Sequence, residues 1–298
     1  MSDNPTKPAP KRDRKEAIIT KRSTELAAIW TESTREAGSL AFMARALAQA
    51  TLPHSETNAL TYARENGRLK LVVSTTPDAG GLPYGAMPRL LLAWITTEAV
   101  KTKSREVLLG RNIAEFMEDK LGMQMTGGKN GSLTRLRKQL DRLVNAQFKV
   151  VMQGEDRSGV SKMWDPIEEA ELWWTSKRPA QSSLWQSRLL LGAKFFDEIT
   201  RNPVPIDWRV LKHVQRSPLK IDLAIWLPWR LYSVERETVI PWTSLELQFG
   251  ADYKEPRQFK AAFKRALKDV LRAYPKARVV TVEQGLLLRP SPKLIPSA

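Results

Sequence analysis

The sequence predicts an α+β protein made of two similar units behind a helical N-terminal segment. Three observations predict it. One order of elements, helix, short helix, amphipathic basic helix, strand pair, occurs twice. The composition is globular, with 42% hydrophobic residues in 298, room for about two domains with a core. The 48 Lys and Arg exceed the 32 Asp and Glu, for a net charge of +16. Such a balance favours a polyanionic partner, most often nucleic acid.

Composition also closes off chemistry. There is no cysteine, which removes disulfides, thiolate metal sites and cysteine nucleophiles. The two histidines, His54 and His213, stand far apart. No apolar run is long enough to span a membrane, and residues 1–22 lack the apolar core of a signal peptide. The expectation is a soluble, cytoplasmic protein with no cofactor and no metal.

Residues 1–22 hold three prolines, seven basic and three acidic residues. They read as a basic, largely disordered arm. Residues 23–81 read as a helical segment with one strand. Leu26, Ile29 and Trp30 recur at helical spacing, as do Leu40, Met43, Ala44 and Leu47, with a break at Gly38. Arg68–Ser74 alternates like a strand and ends in turn residues.

Unit one spans 82–178. A helix follows Pro88, with Leu91, Trp94 and Ile95 inward. Val107–Leu109 reads as a short strand and Asn112–Leu121 as the short helix. The loop Thr126–Ser132 leads into Leu133–Gln147. There Leu136, Leu140, Leu143 and Val144 share one face, and Arg135, Lys138 and Arg142 the other. Phe148–Met152 and Val160–Trp164 bracket a polar tip as a hairpin.

Unit two, with a strand or linker ahead of it, spans 179–298. Its first helix starts at Pro218 and is expected to kink at Pro228. Val239-Ile240 is a brief strand and Pro241–Phe249 the short helix. In Arg257–Tyr274, Phe259, Phe263, Ala266, Leu267 and Val270 pack inward. Arg257, Lys260, Lys264 and Lys268 make the exposed stripe. Ala277–Val282 and Leu286–Arg289 form the second hairpin.

That order is the order of a winged-helix unit, so the predicted architecture is two winged-helix units. In such readers the basic helix enters the major groove and the hairpin touches the backbone. The expected DNA contacts are Lys129, Ser132, Thr134, Arg135, Lys138 and Arg142 in unit one, and Arg257, Lys260, Lys264 and Lys268 in unit two. Arginine can pair bidentately with guanine, whereas lysine more often meets phosphate.

Leu82-Pro83-Tyr84-Gly85, PRLLLAWITTEAVKTKSREVLLGRNIAEFM, TGGKNGSLTRLRKQLDRL and, at 202–232, NPVPIDWRVLKHVQRSPLKIDLAIWLPWRLY carry a resemblance. Over 82–292 the sequence resembles the plasmid-encoded RepA replication initiators of Gram-negative bacteria. The resemblance implies binding to double-stranded origin repeats (iterons), opening of the adjacent DNA and recruitment of host replication proteins, the initiator and helicase. A homodimer stays open. The competing reading is a winged-helix transcriptional regulator or autorepressor without replication activity.

Enzymatic readings fail on residue type. Gly122 and Gly127 have phosphate-loop spacing, but Gly128 stands where that loop needs lysine. The loop reads instead as a flexible turn whose amides could hold a phosphate. No histidine pair exists for a metal-assisted nick, and His213, in an apolar helical pattern, reads as structural. The acidic run at Asp165–Glu171 reads as a solvated linker face. Of ten tryptophans, Trp164, Trp173, Trp174 and Trp185 cluster between the units. The alternation of 171–177 and 182–191 favours a central sheet over a single-strand stacking platform.

Overall fold

The computed structural model describes residues 11–153, 159–172, 186–250 and 253–295. The architecture is mixed α/β, with small antiparallel sheets among the helices. Two helices run through its centre, α3 (Ala86–Thr102) and α8 (Pro218–Tyr232). Both are apolar around most of their circumference and pack on each other, the pattern of a helix buried on all sides.

The N-terminal segment differs from expectation in two places. Helix α1 covers Lys11–Thr31, so residues 11–22 of the expected arm lie in a helix. Residues 1–10 lie outside the described part. Leu40–Met43, expected as helix, is strand β1, followed by a short α2 (Arg45–Gln49). Strand β1 pairs with β9 (Val204–Asp207), Leu40 opposite Asp207 and Met43 opposite Val204. The run LAFM has strand and helix spacing equally well, and the distant partner decides between them. The segment thus holds three strands where one was expected, because β2 (Thr61–Asn66) also precedes the expected strand, β3 (Leu69–Ser74). Polar TYAREN carries no alternating apolar signal and pairs with β3 through a tight turn at Gly67, where φ is +58°.

Unit one has its predicted order. Strand β4 is Glu106–Gly110, α4 is Ile113–Glu115 and continues as a π-turn over Phe116–Lys120, α5 is Ser132–Val144, and the hairpin is β5 (Gln147–Gln153) with β6 (Gly159–Trp164). The pairing reaches outside 82–178. The hairpin joins the N-terminal strands in the order β2-β3-β5-β6. Strand β4 pairs with β8 (Ser187–Leu191), which also pairs with β7 (Ile167–Glu171). The acidic run is therefore a strand and not a linker, with Glu171 2.7 Å from Arg188 and Glu168 ion-paired to Arg105. The strand expected in 182–191 completes unit one's sheet. Trp164 is core: it stacks on Phe148 at 5.0 Å and leans on Phe195 at 4.9 Å. Trp173, Trp174 and Trp185 lie outside the described residues.

Helices α6 (Ala193–Arg201) and α7 (Trp208–Val214) connect to unit two. Arg209 of α7 donates to the carbonyls of Ala28 and Glu32 at 3.1 and 3.0 Å, closing the end of α1. In unit two, α8 continues through Pro228 to Tyr232. Proline cannot donate to the carbonyl four residues back. That carbonyl, on Ala224, instead accepts the buried Tyr274 hydroxyl at 3.1 Å. Strand β10 (Thr238–Pro241), α9 (Trp242–Phe249), α10 (Pro256–Ala273), β11 (Val279–Thr281) and β12 (Gly285–Leu288) follow. Their sheet is local, in the order β10-β12-β11. Gly285 permits it, because a Cβ there would lie 1.9 Å from the Ile240 carbonyl oxygen. Trp226, Trp242, Phe249, Phe259 and Phe263 interlock beneath α10.

Candidate nucleic-acid interface

Helix α10 presents its cations as its periodicity predicts. Phe259, Phe263, Ala266, Leu267 and Val270 are buried, while Arg257, Lys264 and Lys268 are exposed and Lys260 is half-buried. Lys260 and Lys264 lie over the Trp242 ring, with Nζ 5.8 and 5.5 Å from its centroid. The ring is held by its Nε1–H, which donates to the Glu283 carbonyl at 3.0 Å. One held ring thus lies within cation–π range of two ammonium groups. Exposed Arg265 shares this face. Its position next to Lys264 and eight residues after Arg257 is the signal that points to it.

Helix α5 is different. Lys129, Thr134 and Arg135 are exposed. Ser132 is buried, a correction to its expected place at the surface. Its N–H donates to Thr126 Oγ1 at 2.8 Å, its hydroxyl donates to the Gln124 carbonyl at 2.9 Å, and it accepts the Thr126 N–H at 2.8 Å. The loop expected to be a flexible turn is therefore a closed cap. The Gly131 N–H donates to Gly128 at 3.0 Å and the Leu133 N–H to Thr126 at 3.3 Å, so these amides already have acceptors. Only glycine fits at 131, where a Cβ would fall 2.3 Å from the Thr126 carbonyl oxygen.

Arg142 is a second correction. It sits on the edge of the apolar face and is 5% exposed. Its Nη2 donates to Glu56 Oε1 at 2.6 Å and its Nη1 to the Leu82 carbonyl at 3.2 Å. Lys138 is exposed, but its Nζ also meets Glu56 Oε1, at 2.8 Å. Hydrogen bonds from Lys138 and Arg142 hold the Glu56 carboxyl down at about 2. Glu56 lies in the irregular stretch before β2 and has no periodic or motif signal.

A buried polar cluster joins the units. Arg89 of α3 is bidentate to Asp222 of α8, Nε to Oδ1 at 2.6 Å and Nη2 to Oδ2 at 2.9 Å. Its remaining donors reach the carbonyls of Leu52, Pro53 and Gly85 at 2.7, 3.1 and 2.6 Å. His54 Nε2–H donates to Asp222 Oδ2 at 2.8 Å. Burial pushes the Asp222 carboxyl up, but the Arg89 charge and the hydrogen bonds from His54 and Arg89 outweigh it and leave the group below its ordinary value. The two basic helices thus belong to units tied by a satisfied buried ion pair.

Fold and surface together define a class: a basic, mixed α/β protein of two tied units, each with an amphipathic cationic helix beside a β-hairpin. No helix among the described residues is long and apolar enough to cross a membrane. The family model described as "Plasmid encoded RepA protein" matches residues 82–244. That is more than half of the chain, and the protein belongs to this family, with a replication-initiator role. Among solved structures, a crystal structure of selenomethionine derivatives of domains 2 and 3 of RctB is similar at a TM-score of 0.51 and 12% identity. It covers 82% of this chain and 97% of that one. At that identity the likeness is one of fold. No curated protein gives a significant match.

Proposed function

We propose that this protein initiates plasmid replication by binding double-stranded origin repeats through two winged-helix units, opening the adjacent DNA and recruiting host replication proteins, with no covalent step of its own. The observation that carries the proposal is the paired presentation of cationic helices, α5 and α10, in one chain of the RepA family. Arg135, with Lys129 and Thr134, addresses DNA from unit one. Arg257, Lys260, Lys264 and Lys268, joined by Arg265, address it from unit two. The Arg89–Asp222 pair ties α3 to α8, the central helices of the two units, and two tied readers on one repeat would make the second contact intramolecular.

Footprinting on the protein's own plasmid tests the binding. Protection of repeated sites is expected, with affinity falling by roughly 10³–10⁵ between about 50 and 200 mM salt if six to ten cations meet phosphates. A flat salt dependence would count against duplex binding. Supplying the protein in trans to a plasmid that carries only the origin tests initiation. Replication is expected, and protection without replication would favour the regulator reading instead.

A further inference from the structure

Three donors converge on one carboxylate above α5. Glu56 Oε1 accepts Lys138 Nζ at 2.8 Å and Arg142 Nη2 at 2.6 Å, and Oε2 accepts the Tyr84 hydroxyl at 3.2 Å. The donors are anchored. The Arg142 side chain is 6% exposed and its guanidinium carbon lies 5.0 Å from the Tyr84 ring centroid. The Tyr84 N–H donates to Gln139 Oε1 at 2.9 Å, tying the turn before α3 to α5. Gly81, at φ +101°, lies so close that a Cβ would be 3.4 Å from Arg142 Nη2. Arg142 Nε is buried and has no hydrogen-bond partner among the described residues, so the guanidinium holds a donor that the carboxylate leaves unused. The occupant is the less anchored party. Glu56 comes from irregular chain between α2 and β2, and its side chain is 47% exposed.

We propose that Lys138, Arg142 and Tyr84 form a phosphodiester site for duplex DNA, which Glu56 fills in the free chain and vacates when DNA binds. The inference rests on the duplex-binding reading above. An arginine fork and an ammonium group suit a phosphate as well as a carboxylate, and phosphate supplies more acceptor oxygens. The neighbouring Arg135 is exposed on the same helix, with no carboxylate partner among the described residues, so the exchange adds backbone contacts next to a base-reading side chain. Phosphate contacts position without reading sequence. Glu56 therefore lowers affinity for every duplex by a similar factor, because the same ion pairs must break before any phosphate can enter.

The test is binding of a fluorescently labelled duplex of random sequence to the full chain at moderate salt. Glu56→Gln keeps the length and removes the charge; binding about three- to tenfold tighter is expected. Glu56→Asp, charged but one methylene shorter, should fall between the two and carries the test if the glutamine variant does not fold. Lys138→Ala should cost little in the parent, where Lys138 trades Glu56 for the phosphate, and more beside Glu56→Gln, where it only gains. A merely structural ion pair gives no such coupling. If the parent binds and neither Glu56 variant binds tighter, the exchange is wrong and duplex binding stands. If neither the parent nor the variants bind at low salt, both readings fall.

Discussion

In unit two, strand β10 pairs with β12 of the unit's own hairpin, and α10 lies over a core that its own residues supply. In unit one, β4 pairs with β8 from beyond the unit, and the hairpin pairs with β3 from before it. The cations follow suit. On α10 no described carboxylate holds Arg257, Lys264 or Lys268, and the Trp242 ring lies within cation–π range of the Lys260 and Lys264 ammonium groups. On α5 a carboxylate from the N-terminal segment holds Lys138 and Arg142. The same order of elements yields one unit whose sheet is its own and one whose sheets are shared with its neighbours, although α1 and the chain before β2 also reach unit two, Trp30 donating to the Arg272 carbonyl at 2.8 Å and Gln248 to the Gln49 carbonyl at 2.7 Å. A repeated order in sequence reports local elements, while the pairing of edge strands decides whether a unit's sheet is its own.

The largest expected effect tests whether the units are independent at all. Asp222→Ala leaves Arg89 buried without its partner, which should cost about 3–5 kcal/mol. Urea denaturation of the parent should show one transition whose midpoint drops in the variant. Two separate transitions in the parent would mean the pair joins units that fold alone. Because the folded Asp222 carboxyl lies below its ordinary value of 3.8, its contribution is complete above that value. It is lost as pH falls through the lower folded value. Stability curves for the parent and Asp222→Asn should therefore converge toward acid pH.

Next in size is the repair of the proline in unit two. Burial holds the Tyr274 hydroxyl well above its ordinary value, so it remains a donor to Ala224 across the working pH range. Tyr274→Phe should cost about 1–3 kcal/mol by orphaning that carbonyl. Adding Pro228→Ala should recover part of the loss, since alanine restores the missing N–H. If the second substitution adds to the first, the hydroxyl is not what replaces the helix bond. Unit one's central helix α3 has no internal proline after its first turn, so the device belongs to unit two alone.

The two basic helices should differ in what they read. Arg135→Ala should cost about 1–3 kcal/mol at one base position and relax selectivity there, measured by selection from randomised repeats. The smallest effect is expected at unit two. Lys264→Ala should weaken all sequences alike and lower the salt slope by about one. A change in base preference from the lysine variant, with none from the arginine variant, would reverse the assignment.

Much of the fold is legible in local pattern. Amphipathic spacing marks α5 and α10, and alternation marks β3, β5 and β6, because each is a strong local signal. The exposed cations Arg135, Arg257, Lys264 and Lys268 follow from the same arithmetic. Arg142 escapes it because the helical wheel puts this residue on the border of the polar face, and the turn at Gly81–Tyr84 covers that border. Ser132 escapes it because a helix start in sequence does not reveal the cap that folds back on it. Strand β2 is invisible because TYAREN is polar on both faces and gains strand geometry only from β3.

The sequence by itself determined that this is a basic chain without thiolate chemistry, with one order of elements used twice and cations on the outer side of both long amphipathic helices. It also carried the resemblance to RepA initiators, read over 82–292, which the family match bears out over 82–244. Those properties are local, set by residue type and spacing along one stretch of chain. The tertiary structure alone decided which cations are free. Glu56 lies 82 residues before Lys138, and Asp222 lies 133 residues after Arg89. Partners so distant leave no periodic trace, and a lysine facing solvent has the same sequence signature as one facing a carboxylate. Burial and charge pairing are properties of the packed chain, so they appear only when distant segments meet.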